Sequence, residues 1–215
     1  MTAAPQAGLP DTPAPRPQAP QVQLVHGQVP PIEPAALRHL PDRPLDRQEL
    51  LALACSLAAD RDVWEPHMRF SDEQRHYVSL HRDANVDVWV LCWTRTNDTG
   101  WHDHDTSAGA VAVAKGELVE HNLAVGAPSV EVCVPEGTAY SFGPDHIHRM
   151  TGAAEGSVSV HVYSPPLWRM GQYAISSTGV LRRHSVSYAD ELRPIDGPFP
   201  VGESRLRDTL LDAPT

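Results

Sequence analysis

The spacing of apolar side chains along this sequence changes from helical to strand-like near residue 76. Before that point, apolar residues recur three and four positions apart at Leu50, Leu51, Leu53, Ala54, Leu57 and Ala58. Asp46, followed three positions later by Glu49, is a capping box that begins a helix. The pattern predicts a helix over about 46–60, packed against one end of the main fold, and a shorter helix over 34–40 with proline in its first turn.

From residue 76 onward the apolar period becomes two, which is typical of strands. Turn residues such as Lys115-Gly116 and Glu136-Gly137 separate the apolar runs. Short strands at regular spacing predict an all-β sandwich or barrel. The pattern predicts ten strands, near 76–82, 86–95, 108–114, 117–125, 130–134, 138–142, 146–151, 157–163, 172–176 and 180–187.

The ends of the chain differ in composition from its middle. Residues 1–30 are rich in Pro, Ala and Gln and carry few large apolar side chains. Ordering each residue costs ~1–2 kcal/mol, which such a segment does not offset by burial, so we expect a disordered tail. The rest divides into an N-terminal helical segment at 31–75 packed on the barrel, a β core at 76–190 and a C-terminal extension at 191–215.

Charge and composition exclude several classes of partner. Of the 215 residues, 41% are hydrophobic and 20% are charged, and 17 basic against 27 acidic side chains give a net charge of −10. Such an acidic chain, without a basic run, is not expected to bind nucleic acid or an anionic membrane. It has neither a secretory signal pattern nor the ~20 consecutive apolar residues of a membrane helix.

The cysteine pattern indicates a reducing compartment. Cys55, Cys92 and Cys133 are odd in number, lack CxxC spacing and stand in apolar contexts. We therefore expect three buried thiols in a cytoplasmic protein.

The candidate chemistry begins at a His-Asp-His run. Residues two apart in an extended segment point the same way, so His102 and His104 would project together and Asp103 away from them. Two imidazoles side by side are how a strand offers two ligands to one metal ion, and a solvated strand end is the alternative. A third histidine follows downstream, at His146 or His148.

A second polar group falls on the strand predicted at 157–163. Alternation places its valines on one face and a polar trio on the other, namely Ser159, His161 and Tyr163. An inward polar trio is unusual for a plain core, because buried polar groups need partners, and a solvated face is the alternative. The trio consists of groups that transfer protons, so we interpret it as part of a site.

These motifs follow one another in an order that resembles a known family. The runs are His-Asp-His at 102–104, Gly-Pro-Asp-His-Ile-His-Arg at 143–149 and Ser-Val-His-Val-Tyr-Ser-Pro-Pro at 159–166. Over about residues 76–176 the chain resembles the cysteine dioxygenase family, the thiol dioxygenases of the cupin superfamily. The resemblance implies an all-β cupin fold, a double-stranded β-helix or jelly-roll barrel with a few N-terminal helices, and a cis peptide at Ser164-Pro165.

The two cupin motifs can be compared position by position. In the first, His102 and His104 fit, Gly116 closes the motif, and Gly109 stands where most cupins have a glutamate. The thiol dioxygenases also lack that carboxylate, which leaves three histidines. The second motif matches, one residue short in its spacing and with Gly152 in place of its final Asn, at Gly137, Pro144 and His148.

The resemblance implies a ligand set for one iron ion. Fe(II) would be bound by His102, His104 and His148. His146 is the rival third ligand, but the family's ligand precedes Arg and an apolar residue, as His148 does here. Three neutral imidazoles leave the double charge of the metal uncompensated, so that a thiolate substrate is attracted to it.

The resemblance also assigns residues around the iron. Tyr163 would lie beside the metal, with its hydroxyl held by His161 and Ser159. Leu91 and Trp93 fall where the family lines its substrate pocket.

One expected residue is missing from its place. Family members that take cysteine clamp its carboxylate with an arginine early in the first core strand, and that slot falls near Tyr77 here. Arg82 is the nearest basic residue further along, and other candidates are Arg149, Arg169 and Arg182. A bidentate arginine–carboxylate contact is hard to replace. The missing arginine argues against free cysteine itself, so we expect a cysteine-like or related small thiol, such as a mercapto acid, or an ergothioneine-type thiol-imidazole.

The sequence thus favours an iron-dependent dioxygenase that adds both atoms of O2 to the sulfur of a small thiol and gives a sulfinate. The alternatives are a three-histidine zinc or nickel cupin that catalyses hydrolysis or isomerisation, and a cupin that only binds a ligand. We expect a monomer or a small homo-oligomer.

Overall fold

A computed structural model of the chain describes residues 34–123, 128–175, 181–190 and 192–195. The tail expected at 1–30 and nearly all of the extension expected at 191–215 lie outside the described residues, and both remain predictions.

The segment before residue 76 is helical. It contains a 3₁₀ turn at Ala35–Leu37, helix α1 at Arg47–Ala59, helix α2 at Arg61–Trp64 and a second 3₁₀ turn at Glu65–His67. The capping box is confirmed: the Asp46 carboxylate accepts from the backbone N–H of Glu49 at 2.9 Å, and the Glu49 side chain accepts from the Asp46 N–H at 2.9 Å. The helix predicted over 34–40 is a single turn. Across the described ranges no helix is long and apolar enough to cross a membrane.

The period-two region forms two antiparallel sheets. One has the strand order β1-β2-β9-β4-β7 and the other β11-β10-β3-β8-β5-β6. The strands are β1 His76–Arg82, β2 Asp87–Trp93, β3 Trp101–Asp103, β4 Ala108–Lys115, β5 Glu117–Asn122, β6 Val130–Pro135, β7 Ala139–Phe142, β8 His148–Gly152, β9 Ser157–Ser164, β10 Arg169–Ile175 and β11 Leu181–Ser187. The all-β prediction is confirmed.

The predicted strands are found within a few residues of their expected bounds, with two informative differences. The His-Asp-His run forms a strand of its own, β3, which pairs with both β8 and β10. Strand β8 begins at His148 and not at 146, because the His146 N–H bonds to the carbonyl of Gly143 and closes a turn there. His146 and His148 therefore do not share a strand face.

Helix α1 covers the outer face of the five-stranded sheet, so the expectation that it packs against one end of the fold is wrong. Its buried side chains, Leu50, Leu53, Ala54 and Leu57, join one hydrophobic cluster with the outward valines of β9. The helix removes these valines from water, which is favourable because burial of apolar surface stabilises the fold. A second cluster joins both sheets in the interior.

Every residue of β9 is buried, which explains its two different faces. Val158, Val160 and Val162 pack toward α1, while the alternate residues point between the two sheets. The polar trio predicted to face inward is thus buried in the interior, and the alternative of a solvated face is wrong. The Ser164-Pro165 peptide is cis, as predicted.

The thiols are less buried than the sequence suggested. Cys92 is buried on β2, but Cys55 and Cys133 are exposed. Cys55 lies on the solvent side of α1, and Cys133 lies on the edge strand β6. An apolar sequence context did not bury these two because their elements pack on one face only.

We predict that Leu50→Ala lowers the free energy of unfolding by about 2–5 kcal/mol, because it leaves a cavity where the helix meets the sheet. Leu50 is fully buried in the cluster that joins α1 to β9. Urea denaturation followed by circular dichroism measures the loss. Leu51→Ala, in the same helix at a partly exposed position, serves as the matched control and should lose much less. Equal losses for the two variants would contradict the proposed packing.

Candidate metal centre and cavity

Strands β3 and β8 bring three histidines together inside the molecule. His102 on β3 lies directly opposite His148 on β8, and His104 follows two residues after His102. The ring centroids are 4.5 Å apart for His102 and His148, 5.0 Å for His102 and His104, and 5.1 Å for His104 and His148. One nitrogen from each ring lies within 4.8 Å of the other two, so the three could hold one metal ion.

The protonation of these rings fits a divalent metal. Burial lowers the pKa of all three imidazoles, so they are neutral and can bind through a lone pair. Nδ1 of His102 is 3.1 Å from the carbonyl oxygen of Gly100, which leaves Nε2 for a metal. Nδ1 of His104 and Nε2 of His148 are buried and have no hydrogen-bond partner within the described ranges. A bound cation would satisfy these atoms.

Glu120 on β5 is a site residue that the sequence did not reveal. Its Oε1 accepts hydrogen bonds from Nδ1 of His148 and from Nε2 of His146, each at 2.9 Å. Burial would raise the pKa of this carboxyl, but the two histidines outweigh it and hold the pKa well below its usual range. An ionised carboxylate only accepts, so Nδ1 of His148 carries the proton and Nε2 is left with the lone pair.

These bonds also separate the roles of the two downstream histidines. Glu120, His146 and His148 form a second group whose atoms are close enough for a metal, but Glu120 already holds both rings by hydrogen bonds. His148 is fully buried beside His102 and His104, while His146 lies in the turn before β8 and is partly exposed. Alternation with Leu118 places Glu120 on a buried strand face, but the sequence does not show which histidines that face meets.

Asp103 points away from the histidines, as predicted, and fixes their strand from outside. Its carboxylate accepts from Tyr173 at 2.5 Å and from Arg183 at 2.7 and 2.8 Å. Burial would raise the pKa of Asp103, but Arg183 and Tyr173 outweigh it and lower the pKa to about 2. The short strand β3 is thereby tied to β10 and β11.

Phe142 occupies the space beside Gly109, where most cupins have a carboxylate. A Cβ atom added at Gly109 would lie 2.5 Å from the ring of Phe142 and 3.0 Å from Tyr163. Phe142 stacks on His104 with centroids 4.8 Å apart. The ring of Phe142 thus occupies the space where most cupins have a fourth, carboxylate ligand. No local sequence pattern indicated that Phe142 would lie there.

A cavity of about 70 Å³ opens beside the histidines. Three of the residues expected in the substrate pocket line it, Tyr77, Leu91 and Trp93. His102, His104, His161 and Tyr163 also line it, with an otherwise largely apolar wall that includes Trp89, Met150, Leu167, Met170, Tyr188 and Leu192.

Arg82, the fourth residue expected there, does not line the cavity. Its guanidinium binds the carboxylate of buried Asp87 and, at 2.6 Å, the carbonyl of Leu167. The arginine that does line the cavity is Arg75, which is 5% exposed and lies 4.7 Å from the ring of Trp93. Arg75 directly precedes β1, two residues before Tyr77, so it occupies the expected neighbourhood with a different spacing.

The polar trio forms a continuous chain of hydrogen bonds that ends at the cavity. Oγ of Ser159 is 2.8 Å from Nε2 of His161, and Nδ1 of His161 is 3.0 Å from Oη of Tyr163. The Tyr163 ring lies 5.1 Å from His104. Burial lowers the pKa of His161 to about 3 and raises the pKa of Tyr163 above its ordinary value. Both groups are therefore neutral at physiological pH.

Two antiparallel sheets packed around an interior three-histidine group define a cupin with a candidate metal centre. A family model described as cysteine dioxygenase type I matches residues 35–176. The chain belongs to the cysteine dioxygenase family, and this membership implies a thiol dioxygenase of the cupin fold with a small thiol and O2 as substrates.

The solved structures that resemble this chain are distant in sequence. One is an uncharacterized conserved protein with a double-stranded β-helix domain from Klebsiella pneumoniae, at 15% identity over 55% of this chain and 91% of that chain, with a TM-score of 0.42. Another is an RmlC-like cupin protein from Desulfovibrio desulfuricans, at 16% identity over 46% of this chain and 89% of that chain, with a TM-score of 0.40.

We predict that His148→Ala loses bound metal while His146→Ala keeps it, because only His148 lies with a free ring nitrogen beside His102 and His104. The measurement is metal content by mass spectrometry after anaerobic loading with Fe(II) and removal of excess ion. The two variants are matched, since each removes one hydrogen bond to Glu120. Loss of the metal by both variants would instead place the ion at the second group, Glu120, His146 and His148.

Proposed function

We propose that this chain is an Fe(II)-dependent dioxygenase that converts a small thiol carboxylate to its sulfinate. In the overall reaction, RSH and O2 give RSO2H, so both oxygen atoms go to sulfur and no external reductant is consumed. The observation that carries the proposal is the position of the trio. Three buried neutral histidines, two of them with an unsatisfied ring nitrogen, lie beside the Tyr163 hydroxyl, which is held by Ser159 and His161.

The three-histidine group suits iron and a thiolate. Fe(II) held by three imidazoles would supply open coordination positions for sulfur and oxygen and would favour the thiolate form of the substrate. The chain itself excludes bulk water, because His102, His104 and His148 are each at most 4% exposed. Phe142 and Gly109 leave no room for a fourth protein ligand on that side.

Tyr163 is the group of the chain that meets the reacting atoms. It lines the cavity beside His104, and His161 fixes its hydroxyl. Because burial raises the pKa of Tyr163, the phenol stays protonated and can donate a hydrogen bond to oxygen as charge develops there. Ser159 and His161 act through Tyr163 and are positioning residues.

Arg75 supports a carboxylate on the substrate. It is a buried cation that lines the cavity, where Asp190 is also present, and its planar guanidinium matches a carboxylate in geometry and charge. The cavity of about 70 Å³ is small and favours an aliphatic thiol, such as cysteine or a mercapto acid, over a bulky thiol-imidazole. In our proposal Arg75 replaces Arg82 as the substrate-binding cation.

The proposed activity is tested with iron-loaded protein and a panel of thiols. The panel contains cysteine, 3-mercaptopropionate, cysteamine and ergothioneine. We predict O2 consumption with a carboxylate-bearing thiol and an equal yield of sulfinate, identified by mass spectrometry. His102→Ala should abolish both. Absence of O2 uptake with every thiol would refute the proposal, and zinc or nickel in protein purified without added metal would favour the hydrolase or isomerase alternative.

The role of Arg75 is tested by a ratio of rates. We predict that Arg75→Gln lowers kcat/KM for 3-mercaptopropionate about 10- to 100-fold relative to 2-mercaptoethanol, because hydrogen bonds to a charged group contribute about 1.5–3 kcal/mol. Using the ratio cancels any general loss of activity. Arg82→Gln is the matched comparison and should leave the ratio unchanged, since Arg82 binds Asp87 outside the cavity. If this ratio of kcat/KM values changes only in Arg82→Gln, then Arg82 and not Arg75 binds the substrate carboxylate.

A further inference from the structure

We propose that the indole N–H of Trp93 sets the direction of the hydrogen bonds through Ser159 and His161, so that Tyr163 presents its hydroxyl proton to the cavity. This inference deepens the proposed function and rests on it for its catalytic meaning. It turns Trp93, expected only as a wall of the substrate pocket, into a positioning residue.

The argument begins at the end of the chain of hydrogen bonds that is furthest from the cavity. Nε1 of Trp93 lies 2.9 Å from Oγ of Ser159. An indole N–H can only donate, so the Ser159 oxygen accepts. Both residues are completely buried, and water does not reach either group.

Ser159 must then find an acceptor for its own proton. In the described part of the chain, its oxygen has two hydrogen-bond partners, Trp93 and His161. Trp93 cannot accept. The Ser159 hydroxyl therefore donates to Nε2 of His161, at 2.8 Å, because a buried hydroxyl without an acceptor is unfavourable.

The hydrogen bond from Ser159 fixes the tautomer of His161 and therefore the direction of the next hydrogen bond. A neutral imidazole has one donor and one acceptor, and burial keeps His161 neutral, with its pKa lowered to about 3. Since Nε2 accepts from Ser159, Nδ1 carries the proton. Nδ1 donates to Oη of Tyr163 at 3.0 Å.

Tyr163 receives this bond and keeps its own proton for another partner. Its ring lines the cavity and lies 5.1 Å from His104. The hydroxyl thus offers a donor on the side of the substrate. With the opposite direction, Tyr163 would donate to His161 and turn lone pairs toward the oxygen that receives charge, which would repel it.

The test separates this role from simple packing. Trp93→Phe removes the N–H and keeps an aromatic ring, and benzothienylalanine at position 93 removes it with almost no change of shape. We expect kcat to fall about 10- to 100-fold, the range typical of groups that orient a site from behind. KM for the thiol and the iron content should stay near their wild-type values. In a Ser159→Ala background, the same changes at position 93 should cause no further fall in kcat.

A matched control is available in Trp64→Phe. Nε1 of Trp64 donates to the carbonyl of Ala58 at 3.0 Å, and Trp64 is 3% exposed in the helical segment away from the cavity. It loses the same kind of buried hydrogen bond, so it should lower the melting temperature and leave kcat unchanged. If the fall in kcat of the double variant at positions 93 and 159 equals the product of the two single falls, the two residues act independently. Trp93 would then be a wall residue of the cavity, and the proposal would be overturned.

A second readout does not depend on activity. With the protein loaded with diamagnetic Zn(II), ¹⁵N chemical shifts of labelled histidine report which ring nitrogen of His161 carries the proton. We expect the Nδ1–H form in the wild type and a mixture of both forms with benzothienylalanine at position 93. An Nε2–H form in the wild type, or an unchanged form without the indole N–H, would overturn the inference. Failure of the proposed function would appear separately, as absence of O2 uptake with an intact Nδ1–H signal.

Discussion

The exclusion of water from the interior is the constraint on which the rest of this structure depends. His102, His104 and His148 are neutral because charging them there would cost too much, and neutral rings are the ones that bind a metal. The same dryness obliges every nearby polar atom to have a partner of the right kind. Glu120 and the trio on β9 provide such partners. Their hydrogen bonds fix which nitrogen or oxygen carries each proton.

The two faces of β9 show how the helical segment and the site depend on one another. The valines that pack under α1 alternate along a single strand with the trio, whose hydrogen bonds lead to the cavity. Leu50 and its neighbours stabilise the position of that strand from outside. Helix α1 therefore supports the position of the trio from outside and does not itself line the cavity.

Much of this fold and part of the site followed from the sequence, and the reasons for the misses are physical. Alternating apolar residues predicted the strands, and the order of motifs indicated the family, the three histidines and the trio. Glu120 and Arg75 escaped because their importance arises from strand pairing and from a turn into β1, which no local pattern records. The packing of α1 was misjudged because an amphipathic helix shows which face it buries and not what covers that face.

The tie between Asp103 and Arg183 has a consequence for the order of folding. Strand β3 is only three residues long, and its hold on β10 and β11 reaches 80 residues along the chain. A nascent chain still on the ribosome would have made the His-Asp-His run long before the hairpin that restrains it. We therefore expect the candidate metal centre to be completed late in folding, when β10 and β11 dock beside β3.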